Sequence, residues 1–326
     1  MANFTRNDTD DFVPSGSTES QSTCLDRFHY GIDNGELTSL TEVSYVFVII
    51  VNSIACFCTT TLNVLVIVAV KRSPRLQSNA NILLASLAGT DLLCGVAVQP
   101  SFLVWKAFQL SGIPNNCLLR EIQNNLLGYQ SLLSLLHLSL VTGERLLAIK
   151  YTMRYPTLVT VKNIRLGVIT AWVLSTLINI LGDVLTSLKL YFSTLVAFIL
   201  MSCIIFIVFS YAILFSEIRR HQKVIKTQQL PQGEMDRHVK NYKAFKTTVY
   251  IVIAILFSFL PMAIVLLFRP KKGYGGFYDV LLPWFRTFAM LNSLLNPLIY
   301  CWRQKEMRDF IMAKFSPTIN SQNVIC

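Results

Sequence analysis

The stretch Val43–Val70, VSYVFVIIVNSIACFCTTTLNVLVIVAV, runs without a single charged residue. A helix needs about 20 mostly apolar residues to cross a bilayer core about 30 Å thick. Lipid offers the backbone no hydrogen-bond partner, so a spanning segment of this kind must be helical. Buried helices of soluble proteins seldom keep an uninterrupted apolar run beyond about 14 residues. This stretch therefore predicts a membrane-spanning helix.

Six further stretches of similar length and composition follow it along the chain. They are Asn79–Trp105, Cys117–Ala148, Ile164–Leu185, Leu190–Ser216, Thr247–Phe268 and Phe277–Trp302. The whole chain is 53% hydrophobic and only 14% charged, whereas a soluble globular chain carries about 25% charged residues. The sequence therefore predicts an all-α membrane protein, with seven spans bundled over residues 43–302.

The basic residues are divided unevenly between the two predicted sides of the membrane. With the amino terminus outside, 19 of the 29 Lys and Arg residues lie on the cytoplasmic side and nine on the other, as the positive-inside rule requires. The net charge of +11 then belongs to a membrane surface and not to a nucleic-acid interface. These features predict a multi-pass protein of the plasma membrane that contacts membrane lipids.

The two ends of the chain are expected to lie outside the bundle. Residues 1–42 predict a disordered extracellular tail, with glycosylation at the sequons of Asn3 and Asn7. Residues 303–326 predict an amphipathic interfacial helix, Arg303–Phe315, followed by a short cytoplasmic tail. Cys24 and Cys117 face the oxidising side, so they either form a disulfide or remain separate, since the sequence does not give their distance.

Polar residues inside the spans mark one candidate site, because an ionisable group in hydrocarbon is costly. Asp91 lies in the middle of the second span, where a carboxylate must be protonated or paired with a cation. Ser134 lies at comparable depth in the third span, and Asn292, Ser293 and Asn296 share one face of the seventh. These oxygens suit a sodium ion; a protonated Asp91 in a water-filled polar network is the alternative.

A second group of residues marks the cytoplasmic ends of the spans. Glu144 and Arg145 end the third span, and they predict either a snorkelling pair or a cluster with Tyr211 and Tyr300 in which Arg145 changes partners. The prolines at positions 261 and 297 each remove a backbone hydrogen bond and are expected to kink their helices.

In this order, the motifs resemble those of the rhodopsin-like (class A) G protein-coupled receptors over all seven spans. The resemblance rests on Asn63, Leu87-Ala88 with Asp91, Glu144-Arg145, Trp172, Pro261 and Asn296-Pro297-Leu298-Ile299-Tyr300. It implies a receptor that senses an extracellular ligand and activates a heterotrimeric G protein as the sixth helix moves outward. The implied allosteric sodium site consists of Asp91, Ser134, Asn292, Ser293 and Asn296. The implied activation switch consists of Glu144, Arg145, Tyr211, Phe259, Pro261, Asn296, Pro297 and Tyr300.

Several positions depart from the pattern of that family. Leu146 replaces the usual Tyr after the Glu-Arg pair, Phe259 stands where Trp is usual, and Asn241 replaces the acid that clamps the arginine. Loss of the charged clamp predicts raised basal activity. The short loop Thr186–Lys189 lacks the customary cysteine, and the fifth span lacks its proline. Both features are similar to the melanocortin, adenosine, cannabinoid and lysophospholipid receptors.

The candidate ligand pocket is mostly apolar. Leu127 and Ser131 stand where amine receptors carry an aspartate, and the seventh span has no lysine for retinal. The ligand class stays open among lipid, peptide and nucleoside. Arg286 is expected to meet an anionic or lipid-like ligand, to meet an intramolecular partner such as Asp279, or to snorkel. The predicted pocket residues are Gln123, Leu127, Ser131, Met262, Leu266, Arg286 and Met290.

Two other classes of protein, a transporter or channel and an enzyme, are alternatives to a receptor. An ion-coupled transporter or channel would use the buried Asp91, but the sequence shows neither an internal repeat nor paired broken helices. An enzyme would need a nucleophile with a base, or clustered metal ligands, and His137 is isolated in the sequence. We therefore expect no enzymatic activity and no cofactor beyond a possible sodium ion.

Overall fold

The computed structural model describes residues 39–112, 117–151, 154–184, 189–227, 253–265 and 277–315. Within these ranges the backbone is helical apart from short turns, and it contains no strand. The principal helices are α1 (Ser39–Arg72), α2 (Asn79–Leu110), α3 (Cys117–Lys150), α4 (Val161–Val184), α5 (Lys189–Thr227), α6 (Ile253–Val265), α7 (Phe277–Arg303) and α8 (Lys305–Phe315).

The helices agree with the predicted spans, with differences at their ends. The helices α1 to α5 each contain a segment long and apolar enough to cross a membrane. The described part of α6 is 13 residues of the predicted span Thr247–Phe268, and the remainder of that span lies outside the described residues. The helix α2 extends five residues past its predicted end at Trp105, which brings Lys106 into the helix.

The helix α2 is not regular along its length, which the sequence did not predict. A π-helical turn, Cys94–Val98, interrupts it just before Pro100, which has no backbone N–H to donate to the preceding turn. A Cβ atom on Gly95 would lie 2.5 Å from Thr60 Oγ1 and 3.1 Å from the backbone nitrogen of Thr60. Cys56 Sγ donates to the carbonyl of Gly95 at 3.1 Å. Glycine at this position therefore lets α2 pack directly against the backbone of α1.

Three hydrogen bonds between side chains of α1 and groups of α7 define how these helices run. Trp284 Nε1 donates to Ser44 Oγ at 3.0 Å, and Asn52 Nδ2 donates to Thr287 Oγ1 at 2.9 Å. Asn63 Nδ2 donates to the carbonyl of Ser293 at 3.1 Å. The partners follow the same order along both helices, so α1 and α7 are parallel. This is the arrangement required when five further spans lie between the first and the seventh.

An apolar core fills the bundle, while large apolar side chains also cover its outside. The fully buried side chains include Leu87, Phe102, Leu132, Leu135, Ile207 and Met290. The outward face of α4 exposes Leu166, Ile169, Val173, Leu177 and Ile180. A continuous apolar surface of this kind is unfavourable in water but suits contact with lipid.

The predicted interfacial helix forms as α8, beginning after Gln304. Its Met307 and Ile311 are buried against the carboxyl-terminal end of α1 and the neighbouring turn, in a cluster with Val66, Val70 and Leu76. Gln304 Nε2 donates to Asn81 Oδ1 of α2 at 2.9 Å. Part of the apolar face of α8 therefore packs on the bundle itself. The side chain of Phe315 lies outside the described residues.

Candidate functional site

The buried carboxylate of Asp91 meets α7 directly. Asn296 Nδ2 donates to Asp91 Oδ2 at 2.9 Å, and both side chains are buried. Helices α2 and α7 are thus joined, near the middle of the bundle, by a hydrogen bond whose acceptor belongs to a carboxyl group. Such a bond is about twice as strong as a neutral one when the carboxyl group is ionised.

Ser293 lies one turn earlier on α7 and collects bonds from two other helices. Its carbonyl accepts from Asn63 of α1, and its Oγ accepts from Gln130 Nε2 of α3 at 3.3 Å. Gln130 is absent from the predicted site. The sequence could have indicated Gln130 through its position four residues before Ser134, because this spacing places both side chains on one face of α3.

Several polar atoms of the predicted sodium site are buried and make no hydrogen bond to the part of the chain that the structure describes. They are Asp91 Oδ1, Ser134 Oγ and both side-chain polar atoms of Asn292. Leaving such an atom unsatisfied costs about 1–3 kcal/mol. The oxygens among them match the preference of a hard cation for oxygen ligands, and they would equally bind water. The donor set therefore fits the sodium ion that the sequence pattern implies.

Near the end of α3 that carries Lys150, Glu144 contacts two partners. Arg145 Nε lies 3.4 Å from Glu144 Oε2, while Tyr155 OH donates to Glu144 Oε1 at 2.6 Å. Tyr155 begins a helical turn, Tyr155–Leu158, between α3 and α4. Burial and the hydrogen bond to the Glu144 carboxylate raise the pKa of Tyr155 well above its usual value. The phenol therefore remains a donor at any physiological pH.

Sequence reasoning missed Tyr155, although Pro156 follows it. Proline in the first turn of a helix indicates a helical start, and it could have shown that Tyr155–Leu158 is helical. Two further residues of the predicted switch come from α5 and α7. Tyr211 of α5 and Tyr300 of α7 are buried, and Tyr211 OH lies 3.5 Å from Thr142 Oγ1.

The other switch positions lie in α6 and α7. Phe259 is buried and Pro261 half-buried in α6, while Pro297 is buried in α7. Asn241, at the position of the missing acid, lies outside the described residues, as does the loop at 185–188. The raised basal activity that Asn241 predicts stays a prediction.

The predicted pocket residues are mostly buried in the half of the bundle opposite to Arg145. Gln123, Leu127, Ser131, Arg286 and Met290 are buried, and Met262 is half-buried. Ser101 Oγ donates to Gln123 Oε1. Leu266, Cys24, the side chain of Cys117, and the sequons of Asn3 and Asn7 lie outside the described residues.

The structure adds three residues to this region that the sequence did not predict, Tyr45, Trp105 and Lys106. Lys106 Nζ lies 3.9 Å from the centroid of the Tyr45 ring and 4.2 Å from that of Trp105. Arg286 Cζ lies 5.0 Å from the Trp105 ring. The sequence could have indicated Lys106, because it is a cationic residue directly after the predicted end of an apolar span.

Membrane-length helices around a buried cluster of polar side chains define this chain as a multi-pass helical membrane protein. The model of the family described as "7 transmembrane receptor (rhodopsin family)" matches residues 62–191 and 182–300. The chain therefore belongs to this family, which makes it a G protein-coupled receptor with a seven-helix bundle. The fold class and the receptor function predicted from the sequence are confirmed.

Curated relatives cover most of the chain at low identity. Adenosine receptor A3 of Canis lupus familiaris is 24% identical over 314 residues, covering 86% of this chain and 94% of its own. Sphingosine 1-phosphate receptor 2 of Rattus norvegicus is 29% identical over 285 residues, which cover 83% of this chain and 76% of that receptor. Melanocortin receptor 3 of Homo sapiens is 23% identical over 261 residues, which cover 76% of this chain and 78% of that receptor.

These similarities imply that the chain has the general properties of the family. Membership of this family implies a receptor that couples to a G protein and responds to an extracellular ligand. Neither the fold nor the relatives favour a transporter or a channel.

Proposed function

We propose that the receptor binds its ligand among the predicted pocket residues and transmits binding along α7 to the switch at Arg145. Outward movement of α6 then admits the G protein. The observation that carries this proposal is the hydrogen bond from Asn296 to Asp91. It joins α2 to α7 at the residue before Pro297, so a change in α7 alters the surroundings of the buried carboxyl group.

The helix α7 links the pocket to the switch over a short distance. Met290 belongs to the proposed pocket, and its carbonyl accepts from Cys94 Sγ of α2 at 3.7 Å. Tyr300 of the proposed switch follows ten residues later, about 15 Å along a helix. Pro297 lies between them and provides no backbone N–H, so α7 bends more easily there than elsewhere.

A sodium ion would be held by Asp91, Ser134, Asn292, Ser293 and Asn296. When bound, it supplies a positive charge that neutralises the Asp91 carboxylate in a buried setting. The unpaired oxygens of Asp91 and Ser134 support this assignment. The competing arrangement, a protonated Asp91 with water, predicts no specific effect of sodium.

The proposed placement puts the amino terminus outside the plasma membrane and α8 in the cytoplasm. It rests on the excess of basic residues near Arg145 and α8. Residues 1–42 then form an extracellular tail glycosylated at Asn3 and Asn7, and residues 303–326 form α8 with a cytoplasmic tail. The relatives are named for adenosine, sphingosine 1-phosphate and melanocortin, so the ligand is a nucleoside, a lipid or a peptide.

The test is second-messenger signalling, cAMP and calcium, by cells that express the full chain. We expect a basal signal above that of cells lacking the receptor, and a further change with one member of a panel of nucleosides, lipids and peptides. Arg145→Gln should lower the signal about tenfold or more, because hydrogen bonds of charged groups contribute about 1.5–3 kcal/mol.

The matched control is Arg72→Gln, an exposed arginine at the same end of the bundle, which should signal normally. Equal surface expression of the variants is measured with an amino-terminal tag. Signalling by Arg145→Gln at the level of the unmodified chain would contradict the proposed switch. The absence of both basal and ligand-dependent signals from the unmodified chain would contradict the proposed transmission.

A further inference from the structure

The first turns of α4 carry two cations on the outside of the bundle. Lys162 and Arg165 are both exposed, and they lie three residues apart, so they share one face of the helix. Within the described residues, neither side chain forms an ion pair. The beginning of α4 therefore presents two positive charges to its surroundings.

The neighbouring segment of the chain is basic as well. Residues 146–182 contain Lys150 and Arg154 in addition to the two cations of α4, and they contain no Asp or Glu. The acid that precedes this segment, Glu144, is buried and already contacts two partners. An accumulation of one sign of charge attracts ions of the opposite sign, so this end of α4 is suited to an anion.

Hydrogen bonds fix the backbone that leads into α4. The N–H of Leu158 donates to the carbonyl of Arg154 at 3.1 Å, and the carbonyl of Leu158 accepts from Asn163 Nδ2 at 2.9 Å. Asn79 Nδ2 of α2 donates to the carbonyl of Val159 at 2.7 Å. The start of α4 is thus tied to α2, and the backbone that carries the exposed cations keeps a fixed place on the bundle.

Exposed apolar side chains continue the same face of α4 beyond the cations. Leu166 follows Lys162 by four residues, and Ile169 follows Arg165 by four. Leu166, Ile169 and Leu177 are 62%, 58% and 57% exposed. Leu177 lies 11 residues beyond Leu166, about three turns and about 16 Å along the helix. This length matches one leaflet of a bilayer whose apolar core is about 30 Å thick.

The basic end of α1 lacks this combination. Lys71 and Arg72 are exposed there, but the preceding apolar residues Leu65 and Ile67 pack against the cluster that α1 forms with α8. At the end of α1 the apolar surface beside the cations is therefore partly covered by protein, whereas at α4 it is open. Positive charge joined to an open apolar face is complementary to a molecule with an anionic head and an apolar chain.

We infer that Lys162, Arg165, Leu166, Ile169 and Leu177, here called the α4 lipid site, bind one membrane lipid that has an anionic phosphate headgroup. The phosphate contacts the two cations, which attract anionic lipids at a membrane surface, and the arginine can donate two N–H groups to it. An acyl chain lies along the three apolar residues. The inference goes beyond the proposed function, because it requires that α4 crosses the membrane and involves neither the ligand pocket nor the switch.

The test counts the lipid molecules that stay bound to the purified full chain, by mass spectrometry of the intact protein from an uncharged detergent. The probes are dioleoylphosphatidylglycerol and dioleoylphosphatidylcholine, which share their acyl chains and differ in charge. We expect phosphatidylglycerol to bind at the lower concentration. Inorganic phosphate and glycerol 3-phosphate should not displace it, because they have no acyl chain. Displacement by equal concentrations of either would show a site for free anions and overturn the assignment to a lipid.

Variants localise the binding. Lys162→Gln and Arg165→Gln should each raise the half-saturating concentration of phosphatidylglycerol about fivefold, and together about thirtyfold. Lys162→Arg combined with Arg165→Lys keeps both charges and should retain binding. The matched control combines Lys71→Gln with Arg72→Gln, which removes the same charge at the end of α1 and should leave binding unchanged. Thermal unfolding without lipid checks that the variants fold, and the single variants still test the site if the double variant does not.

Three results would overturn the inference. One is equal affinity of the unmodified chain for the two lipids. Another is an equal loss of phosphatidylglycerol binding in the control pair, which would mean that total charge and not the α4 lipid site decides binding. The third is unchanged lipid binding with a lost second-messenger signal in Lys162→Gln with Arg165→Gln, which would assign these cations to the G protein. Signalling by the unmodified chain tests the proposed function separately.

Discussion

The contact of α1 with α7 differs in kind from the contact of α3 with α4. The first contains three buried or half-buried hydrogen bonds: Asn52 and Asn63 of α1 donate to α7, and Ser44 of α1 accepts from Trp284 of α7. In the second, the hydroxyls of Tyr129 and Thr176 form an exposed contact at 3.3 Å, and apolar side chains make much of the rest. Directional bonds inside a bundle allow one register, whereas apolar surfaces tolerate sliding.

The glycines of these contacts show the same difference. Gly95 faces the backbone of α1 at Thr60, while a Cβ on Gly167 of α4 would meet only the flexible end of Leu140, at 3.3 Å. A receptor needs a part that keeps its shape and a part that moves. We assign the first role to α1, α2 and α7, and expect movement on the side of α5 and α6.

The largest expected effect is at the close approach of α1 and α2. Gly95→Ala should lower the free energy of unfolding by about 3 kcal/mol, near the upper end of the overpacking range, because the added Cβ meets backbone. Gly167→Ala, the matched control, should cost less than about 1 kcal/mol, since Leu140 can adjust. Thermal unfolding of both purified variants measures this. Equal stability of the two variants would remove the distinction between the contacts.

The hydrogen bonds provide the next comparison. Asn63→Ala removes donors to the carbonyls of Thr59 and Ser293 and leaves the latter buried, which should cost about 2 kcal/mol. Tyr129→Phe removes one long, exposed bond and should cost less than about 0.5 kcal/mol. Both are measured by thermal unfolding. A larger loss in Tyr129→Phe would show that α3 and α4 are the more tightly specified pair.

A smaller effect concerns sodium at Asp91. The chain should be more stable in sodium chloride than in choline chloride of equal concentration, by about 1.4 kcal/mol at ten times the dissociation constant. Asp91→Asn should remove the difference between the two salts, because it removes the negative charge that holds the ion. Thermal unfolding in both salts measures this. Equal stability of the unmodified chain in both salts would favour a protonated Asp91 with water.

The smallest expected effect is at Tyr155, which lies between α3 and α4 and outside the part of the bundle that we expect to keep its shape. Tyr155→Phe removes the bond to Glu144 and should cost about 1 kcal/mol. The raised pKa of Tyr155 means that this contribution is complete below its usual value near 10 and is lost only as the pH rises through the raised value. The cost should thus be constant from about pH 7 to about pH 9.

The control for Tyr155 is Tyr151→Phe, an exposed tyrosine of the preceding turn. Its stability should match that of the unmodified chain throughout the same pH range. A cost for Tyr155→Phe that disappears between about pH 7 and about pH 9 would mean that the phenol is not held as a donor to Glu144.

Much of the fold could be predicted because apolar runs and membrane thickness together decide where helices lie. The site was predicted in part, since Asp91 and Asn296 are conspicuous as polar residues within apolar spans. Lys106 was missed because the predicted span ended one residue earlier, and Gln130 because a neutral amide in a long helix gives little signal. Tyr155 was missed because its partner, Glu144, lies on another element.

The sequence alone determined the number of spans, the helical class and the receptor family, because hydrocarbon admits only backbone that satisfies its own hydrogen bonds. Tertiary structure decided which polar groups meet: Asn296 with Asp91, Asn63 with Ser293, and Lys106 with Arg286 over Trp105. These pairs depend on the rotation and depth of separate helices. Packing of whole helix faces sets both quantities, and no local pattern in the chain encodes them.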